Sequence, residues 1–245
     1  MRRTVAIVPA FNEERAIGSV VREVRAFDPT IVVVVVDDHS SDSTGAAASA
    51  AGAVVIRLPF NLGIGGAVQT GFKYAMREGF DVAVRLDGDG QHVAAELDRL
   101  LDPLRRGAAD IVTGSRFVGD DRTYRPPLAR RIGIRWFARL VSVLTRCRVT
   151  DTTSGFQALN RRAIALFAAD YPTDYPEVEG TLLVLRSGLR LREVQVAMRE
   201  REHGVSSITF LRSVYYLLKV TLAIVVASLR SYEADRETVE AVEAA

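Results

Sequence analysis

Six consecutive β-branched residues, Ile31 to Val36, run straight into the pair Asp37-Asp38. A strand that is apolar at every position has no face to give to water, so it belongs inside a sheet covered by helices on both sides. The rest of the first half repeats that theme. Residues 4–8, 53–58, 82–86 and 110–113 read as further strands, and Ile17, Val20, Val21 and Val24 mark a helix over 14–25. Helical segments also run through the alanines to Ala51, over 66–78 and over 93–105. Strands alternating with helices at this spacing imply βαβ units and an α/β fold with a doubly wound, mostly parallel sheet.

Ligands of such sheets bind beyond the carboxyl ends of the strands, and the polar clusters fall there. Asn12-Glu13 follows the first strand, Asp37-Asp38 the second, and Asp87-Gly-Asp89-Gly-Gln91-His92 the fourth. Asp87, Asp89 and Gln91 supply hard oxygen ligands at alternate positions, which suits Mg²⁺ or Mn²⁺. An acidic turn capping the next helix is the plainer reading, and the triplet alone leaves both open. It is not an EF-hand loop, which needs Gly sixth and Glu twelfth where this chain has His92 and Asp98. No G-x-G-x-x-G follows the first strand, which removes a dinucleotide oxidoreductase. His39, His92 and His203 lie far apart and Cys147 is the single cysteine, so neither a zinc site nor a disulfide framework is expected, and the default is a reducing compartment.

The second half is less regular: a helix over 128–144, a strand over 155–159, a helix over 179–187, a strand over 191–196 and a long helix over 210–230. Charge is unevenly spread. The chain of 245 residues carries 32 Lys plus Arg against 30 Asp plus Glu, yet nine arginines fall between Arg116 and Arg148 with only Asp120 and Asp121 opposing them. Residues 233–245 carry five acids and one arginine and are expected to be a disordered tail. No recognisable nucleic-acid motif accompanies the arginines, and an acidic sheet edge repels a phosphate backbone, so nucleic acid is not an expected partner. Neither a secretory signal nor a membrane span of ~20 apolar residues is expected.

Four segments in order carry a resemblance: Val5-Ala-Ile-Val-Pro-Ala-Phe-Asn-Glu13, Val35-Val-Asp-Asp-His-Ser-Ser-Asp42, Asn61-Leu-Gly-Ile-Gly-Gly66 with Gly71-Phe72, and Leu86-Asp-Gly-Asp-Gly-Gln-His92. With these the chain resembles the family 2 glycosyltransferases, whose nucleotide-sugar-binding, glycosyltransferase A-type fold places a D-x-D after its fourth strand. Gly114-Ser-Arg116, Asp151-Thr-Thr-Ser-Gly-Phe156 and Arg201-Glu-His-Gly204-Val-Ser206 make it most similar to the polyprenol- and dolichol-phosphate sugar synthases. The segment Tyr175-Pro-Glu177-Val-Glu179 departs from the mannose-transferring members.

The resemblance implies a catalytic domain over 1–210, with a nucleotide-sugar-binding half (1–120) and an acceptor half (121–210), followed by an apolar helix over 211–232. It assigns the donor, a GDP-, UDP- or dTDP-linked sugar, to Pro9, Phe11, Glu13, Asp37, Asp38, Asn61, Gly63 and Asp87, and the metal to Asp87, Asp89 and Gln91. Phe11 reads equally as a core aromatic. The family inverts the anomeric centre by one in-line displacement, so no enzyme nucleophile is implied. An anionic polyprenyl phosphate needs no strong base but needs cations, and a guanidinium matches phosphate geometry. Arg116, Arg131, Arg135 and Arg201, with Ser206, are the acceptor-phosphate candidates.

Were the acceptor a hydroxyl, Glu177 or Glu179 could act as base, although acids also favour a helix's first turn. Asp151 reads either as an orienter or as a cap. A nucleotide-sugar-binding protein without catalysis is a further alternative, which the intact triplet argues against. Trp136 reads as a core anchor ahead of a lipid contact. The long C-terminal helix, more apolar than a one-faced helix requires yet broken by Arg212, Lys219 and Arg230, suggests peripheral binding at the cytoplasmic face of a membrane. Packing on the catalytic domain, or docking to a small membrane protein, is the competing reading.

Overall fold

The computed structural model describes residues 2–118, 128–199, 210–230 and 232–243, with the backbone alone at 128–131, 210–216, 233–236 and 243. Seven strands form one sheet: β1 (Thr4–Ala10), β2 (Val32–Asp37), β3 (Val54–Arg57), β4 (Val82–Arg85), β5 (Ile111–Ser115), β6 (Gln157–Asn160) and β7 (Leu191–Gln195). Their order is β3-β2-β1-β4-β6-β5-β7. All neighbours are parallel except β6, which runs antiparallel between β4 and β5.

Successive strand residues point to opposite faces, and the core divides accordingly. Ala6 and Val8 face the helices α1 (Ile17–Phe27), α2 (Thr44–Ala50) and α4 (Leu97–Arg105), whereas Val5 and Ile7 face α3 (Gly63–Arg77) and α6 (Arg161–Ala169). Contact on that second face is close. A Cβ on Gly71 would stand 2.2 Å from the Ile7 side chain, so only glycine lets α3 lie this near β1. A third apolar cluster joins α5 (Leu128–Thr145), α7 (Pro176–Arg186) and α8 (Phe210–Ser228) through Phe137, Val141, Leu182, Val220 and Ile224.

The acidic tail, expected to be disordered, is helical over its described residues. Residues Glu233–Glu243 form α9, with Tyr232 and Val239 buried against the second face. Glu237 and Glu240 stay exposed, so the helix keeps its charge in water while its apolar positions find the domain. The Arg186 guanidinium stacks 5.5 Å over the Tyr232 ring, and Arg230 pairs with Asp170.

Asp110 ties together the ends of β5, β6 and β7. Its buried carboxylate accepts from the Arg190 backbone N–H (2.8 Å), Arg190 Nε (3.0 Å) and Asn160 Nδ2 (2.8 Å), with Arg162 Nη1 at 3.4 Å. Burial pushes this carboxyl up, but the hydrogen bonds from Arg190 and Asn160 and the charge of Arg162 outweigh it and hold the group below the ordinary 3.8. A depressed folded-state pKa gives stability that is fully present above the unfolded value and lost as pH falls through the folded one. Asp110→Asn is therefore expected to lose about 1–3 kcal/mol in urea unfolding at pH 7. The difference from the unaltered protein should shrink once the pH is taken below 3.8.

Candidate active site

The parallel register puts the ends of β1, β2 and β4 in step: Ala10 pairs with Asp37, and Ile7 with Arg85. The loops leaving these strands meet in one cavity of about 520 Å³. Pro9, Phe11 and Glu13 line it from β1, Asp38 from β2, and Asn61 and Gly63 from the start of α3. Arg85, Asp87 and Asp89 line it from β4, and Glu177 from the first turn of α7.

Asp38 organises one wall. Its carboxylate accepts the backbone N–H groups of Leu62 (2.7 Å) and Gly63 (2.9 Å) at the head of α3, and Asn61 Nδ2 donates to its carbonyl (3.2 Å). Gly63 has φ +77°, a conformation that suits glycine. The neighbouring Asp37 does not reach the cavity, because consecutive strand residues face opposite ways. It is buried beneath, accepting from the Ser40 N–H (2.9 Å) with Arg57 Nε at 4.0 Å. Phe11 is 49% exposed in the cavity wall, so it is not a core aromatic.

Asp87 and Asp89 both face the cavity, but Gln91 is not part of its lining. Gly90, at φ +77°, turns the chain, and the Gln91 carbonyl accepts from the Arg199 N–H (2.9 Å), drawing that segment toward the His92–Met198 bridge. His92 stabilises the loop. It is buried, stacks on Phe156 with ring centroids 4.7 Å apart, and its Nδ1 accepts the Asp87 N–H (3.0 Å). That leaves the ring proton on Nε2, 3.7 Å from Asp87 Oδ2. Burial pushes the imidazole's pKa down.

Among the described residues no three His, Cys, Asp or Glu side chains close around one point. Two carboxylates on one wall still fit Mg²⁺ or Mn²⁺, which commonly take one or two carboxylates and complete their shell with phosphate oxygens and water. The Asp87 carboxylate lies 3.7 Å from Arg85 Nη2 and 3.7 Å from His92 Nε2.

Arg85 escaped the sequence reading. It is 1% exposed, donating through Nη2 to Glu177 Oε1 (2.6 Å) and through Nη1 to the Tyr171 hydroxyl (2.9 Å). Burial works against its charge, and Tyr171, Glu177 and Asp87 together more than offset this, so its pKa is raised. The signal was a lone arginine in an otherwise apolar strand, since a buried cation requires buried partners. Gly155 leaves room for it: a Cβ there would come within 3.0 Å of both Arg85 Nη2 and Asp87 Oδ1.

The other candidates part ways. Glu179 does not line the cavity; burial, with Asp174 and Asp170 adding, pushes its carboxyl up. Arg116 is bound to Asp151 in a fork, Nε to Oδ2 at 3.0 Å and Nη2 to Oδ1 at 3.2 Å, both side chains being buried. Asp151 also accepts the Thr153 N–H (3.0 Å), so it both orients and caps. Arg135 is exposed on α5. Arg201, Ser206 and the side chain of Arg131 lie outside the described residues.

Trp136 is 48% exposed, and its indole N–H donates to Thr221 Oγ1 (3.0 Å) on α8. One face of α8 packs through Val220 and Ile224, while Leu218, Leu222, Val225, Val226 and Leu229 form an exposed apolar face at helical spacing. Among the described residues no helix is long and apolar enough to cross a membrane.

The Glycosyl transferase family 2 model matches residues 5–167. The chain is 31% identical over 217 residues to the polyprenol monophosphomannose synthase of Mycolicibacterium smegmatis, covering 85% of this chain and 82% of that one. It is 35% identical over 151 residues to the undecaprenyl-phosphate mannosyltransferase of Micrococcus luteus, covering 60% of this chain and 61% of its relative. Among solved structures, glucosyl-3-phosphoglycerate synthase of Mycobacterium tuberculosis, crystallised with Mn²⁺, UDP and glucosyl-3-phosphoglycerate, superposes with a TM-score of 0.71 at 20% identity, over 93% of this chain and 80% of that one. That likeness is one of fold, glycosyltransferase A-type. Because the matched residues run from β1 through β6 and include the cavity-lining ends of β1, β2 and β4, the chain belongs to glycosyl transferase family 2 and is a glycosyltransferase.

Proposed function

We propose that this glycosyltransferase moves a sugar from a nucleotide-sugar donor to a polyprenyl phosphate at a membrane surface, with inversion and with a divalent cation. The observation that carries this reading is the single cavity into which Phe11, Asp38, Asp87 and Asp89 converge. Each Asp38 oxygen already accepts one backbone N–H and retains a lone pair for the ring N–H of a base, and the exposed Phe11 ring is available to cover the base's face. Asp87 and Asp89 would hold Mg²⁺ or Mn²⁺, which when bound neutralises the charge developing on the departing diphosphate.

The transfer is one displacement: an acceptor phosphate oxygen forms the bond to the anomeric carbon as the bond to the nucleoside diphosphate breaks. A phosphate acceptor arrives ionised, so no side chain has to remove a proton. The names of the Mycolicibacterium and Micrococcus relatives support a polyprenyl-phosphate acceptor. The exposed apolar faces of α8 and α5, the latter with Ile132 and Trp136, support binding at a lipid surface, at the cytoplasmic face in our reading. The presence of Glu177 in the cavity is the one feature that favours a hydroxyl acceptor instead.

Radiolabelled UDP-, GDP- and dTDP-sugars, incubated with the protein, a short-chain polyprenyl phosphate and Mg²⁺ or Mn²⁺, are expected to give one acid-labile, lipid-extractable product. If none of the donors gives such a product, the polyprenyl-phosphate reading fails.

A further inference from the structure

The described lining of the donor cavity carries five carboxylates, those of Glu13, Asp38, Asp87, Asp89 and Glu177, against one cation, Arg85. Arg85 stands between two of them, 2.6 Å from Glu177 and 3.7 Å from Asp87. It thereby divides the floor of the cavity into an Asp87 side and a Glu177 side. A cation entering on the Glu177 side meets the guanidinium and is repelled by it. A diphosphate entering there meets the Glu177 carboxylate and is repelled in turn. What a charge-balanced carboxylate can take is a neutral group with hydroxyl donors, and hydrogen bonds to an ionised acceptor are the strong kind. Glu177 is suited to this, because its side chain remains 25% exposed to the cavity while the fully buried Arg85 fixes its orientation.

We infer that Glu177 binds hydroxyl groups of the donor's sugar and sets donor discrimination, and that Arg85 is the positioning residue that holds it there. This rests on the reading of the cavity as a nucleotide-sugar site. It gives Glu177 no role as a base: the carboxylate receives a hydrogen bond and the proton stays on the sugar. Arg85, Glu177 and Tyr171 thus form one device assembled from β4, the first turn of α7 and the segment before it.

The test is calorimetric titration of the full chain with Mn²⁺ and UDP against UDP-glucose, GDP against GDP-mannose, and dTDP against dTDP-glucose. The readout is the ratio of the nucleotide-sugar Kd to the nucleotide Kd for whichever base binds. Glu177→Gln keeps the shape and an acceptor for Arg85 but removes the charge. It is expected to raise the ratio about tenfold while the nucleotide Kd changes less than about twofold. Arg85→Gln should raise the ratio as much, and the double variant no further, since residues acting as a unit are not additive. Arg85→Lys should restore part of the loss. If Arg85→Gln does not fold, Glu177→Gln and Glu177→Asp, which draws the carboxylate back, carry the test alone. An unchanged ratio in Glu177→Gln overturns the inference, as does an equal rise in both constants. A loss of kcat with the ratio intact also overturns it, because that is the behaviour of a base. If the unaltered protein binds none of these nucleotides, the donor-site reading fails and takes the inference with it.

Discussion

Asp89→Asn is expected to lower sugar transfer by about a hundredfold to a thousandfold and to leave the unfolding midpoint where it is. The two halves of that expectation have separate physical origins. Asp89 Oδ1 accepts the Gln91 N–H (3.1 Å), the bond that shapes the turn, and an asparagine oxygen in the same place can keep it. Lost is one negative charge on the wall facing the cavity, where, on the proposed metal assignment, Asp87 alone would be left to hold the divalent cation. Parallel measurements of turnover against Mn²⁺ concentration and of urea unfolding would separate the effects. A variant with full activity at low Mn²⁺ would remove Asp89 from the metal site, and one that lost stability and activity together would make it a structural residue.

The legible part of this molecule is the part in which chemistry and backbone period coincide. The six β-branched residues from Ile31 and the acidic turn after them specify a central strand and its functional end in one stretch, and β2 is found at Val32–Asp37. Asp38, Asn61, Gly63, Asp87 and Asp89 converge as the motif order implied. What could not be read locally depends on partners far away in sequence. Arg85 gains its meaning from Glu177, 92 positions on, and from Tyr171, 86 positions on. The helix α6 has a local signal that went unused: Asn160 caps it by accepting the Ala163 N–H (3.1 Å). In the tail, five acids outweighed Val239 and Val242, which lie at helical spacing and gain their stability only when a surface is present to bury them. Asp37 and Gln91 stay out of the cavity lining for a different reason. Each is the right residue type in the right motif, but strand alternation turns one under the sheet edge and a backbone bond to Arg199 draws the other aside.

Arg116 poses the sharpest conflict between motif and geometry, and Asp151→Ala resolves it. If Arg116 serves the acceptor phosphate directly, removing Asp151 frees a guanidinium for that ligand, lowers the acceptor KM and barely touches stability. The fork between the two side chains, 7% and 0% exposed, predicts the opposite. A buried cation that loses its carboxylate keeps the cost of leaving water without the attraction that offset it, and breaking such a pair costs about 3–5 kcal/mol. The Thr153 backbone N–H would lose its carboxylate acceptor at the same time, and the Thr153 hydroxyl, 2.8 Å from Arg116 Nη2, would be left as an uncharged substitute. Glu193, which holds the backbone of the same loop, is already engaged by the Thr150 N–H (2.9 Å) and the Asp151 N–H (2.7 Å), and burial pushes its carboxyl up. Urea unfolding at pH 7 should therefore register the full loss, and Asp151→Asn, which retains an oxygen for Thr153, a smaller one. Acceptor KM measured on whatever folded protein survives should rise or stay level. A stable Asp151→Ala protein with a lowered acceptor KM would return Arg116 to the phosphate, and would mean that the pair opens when the acceptor binds.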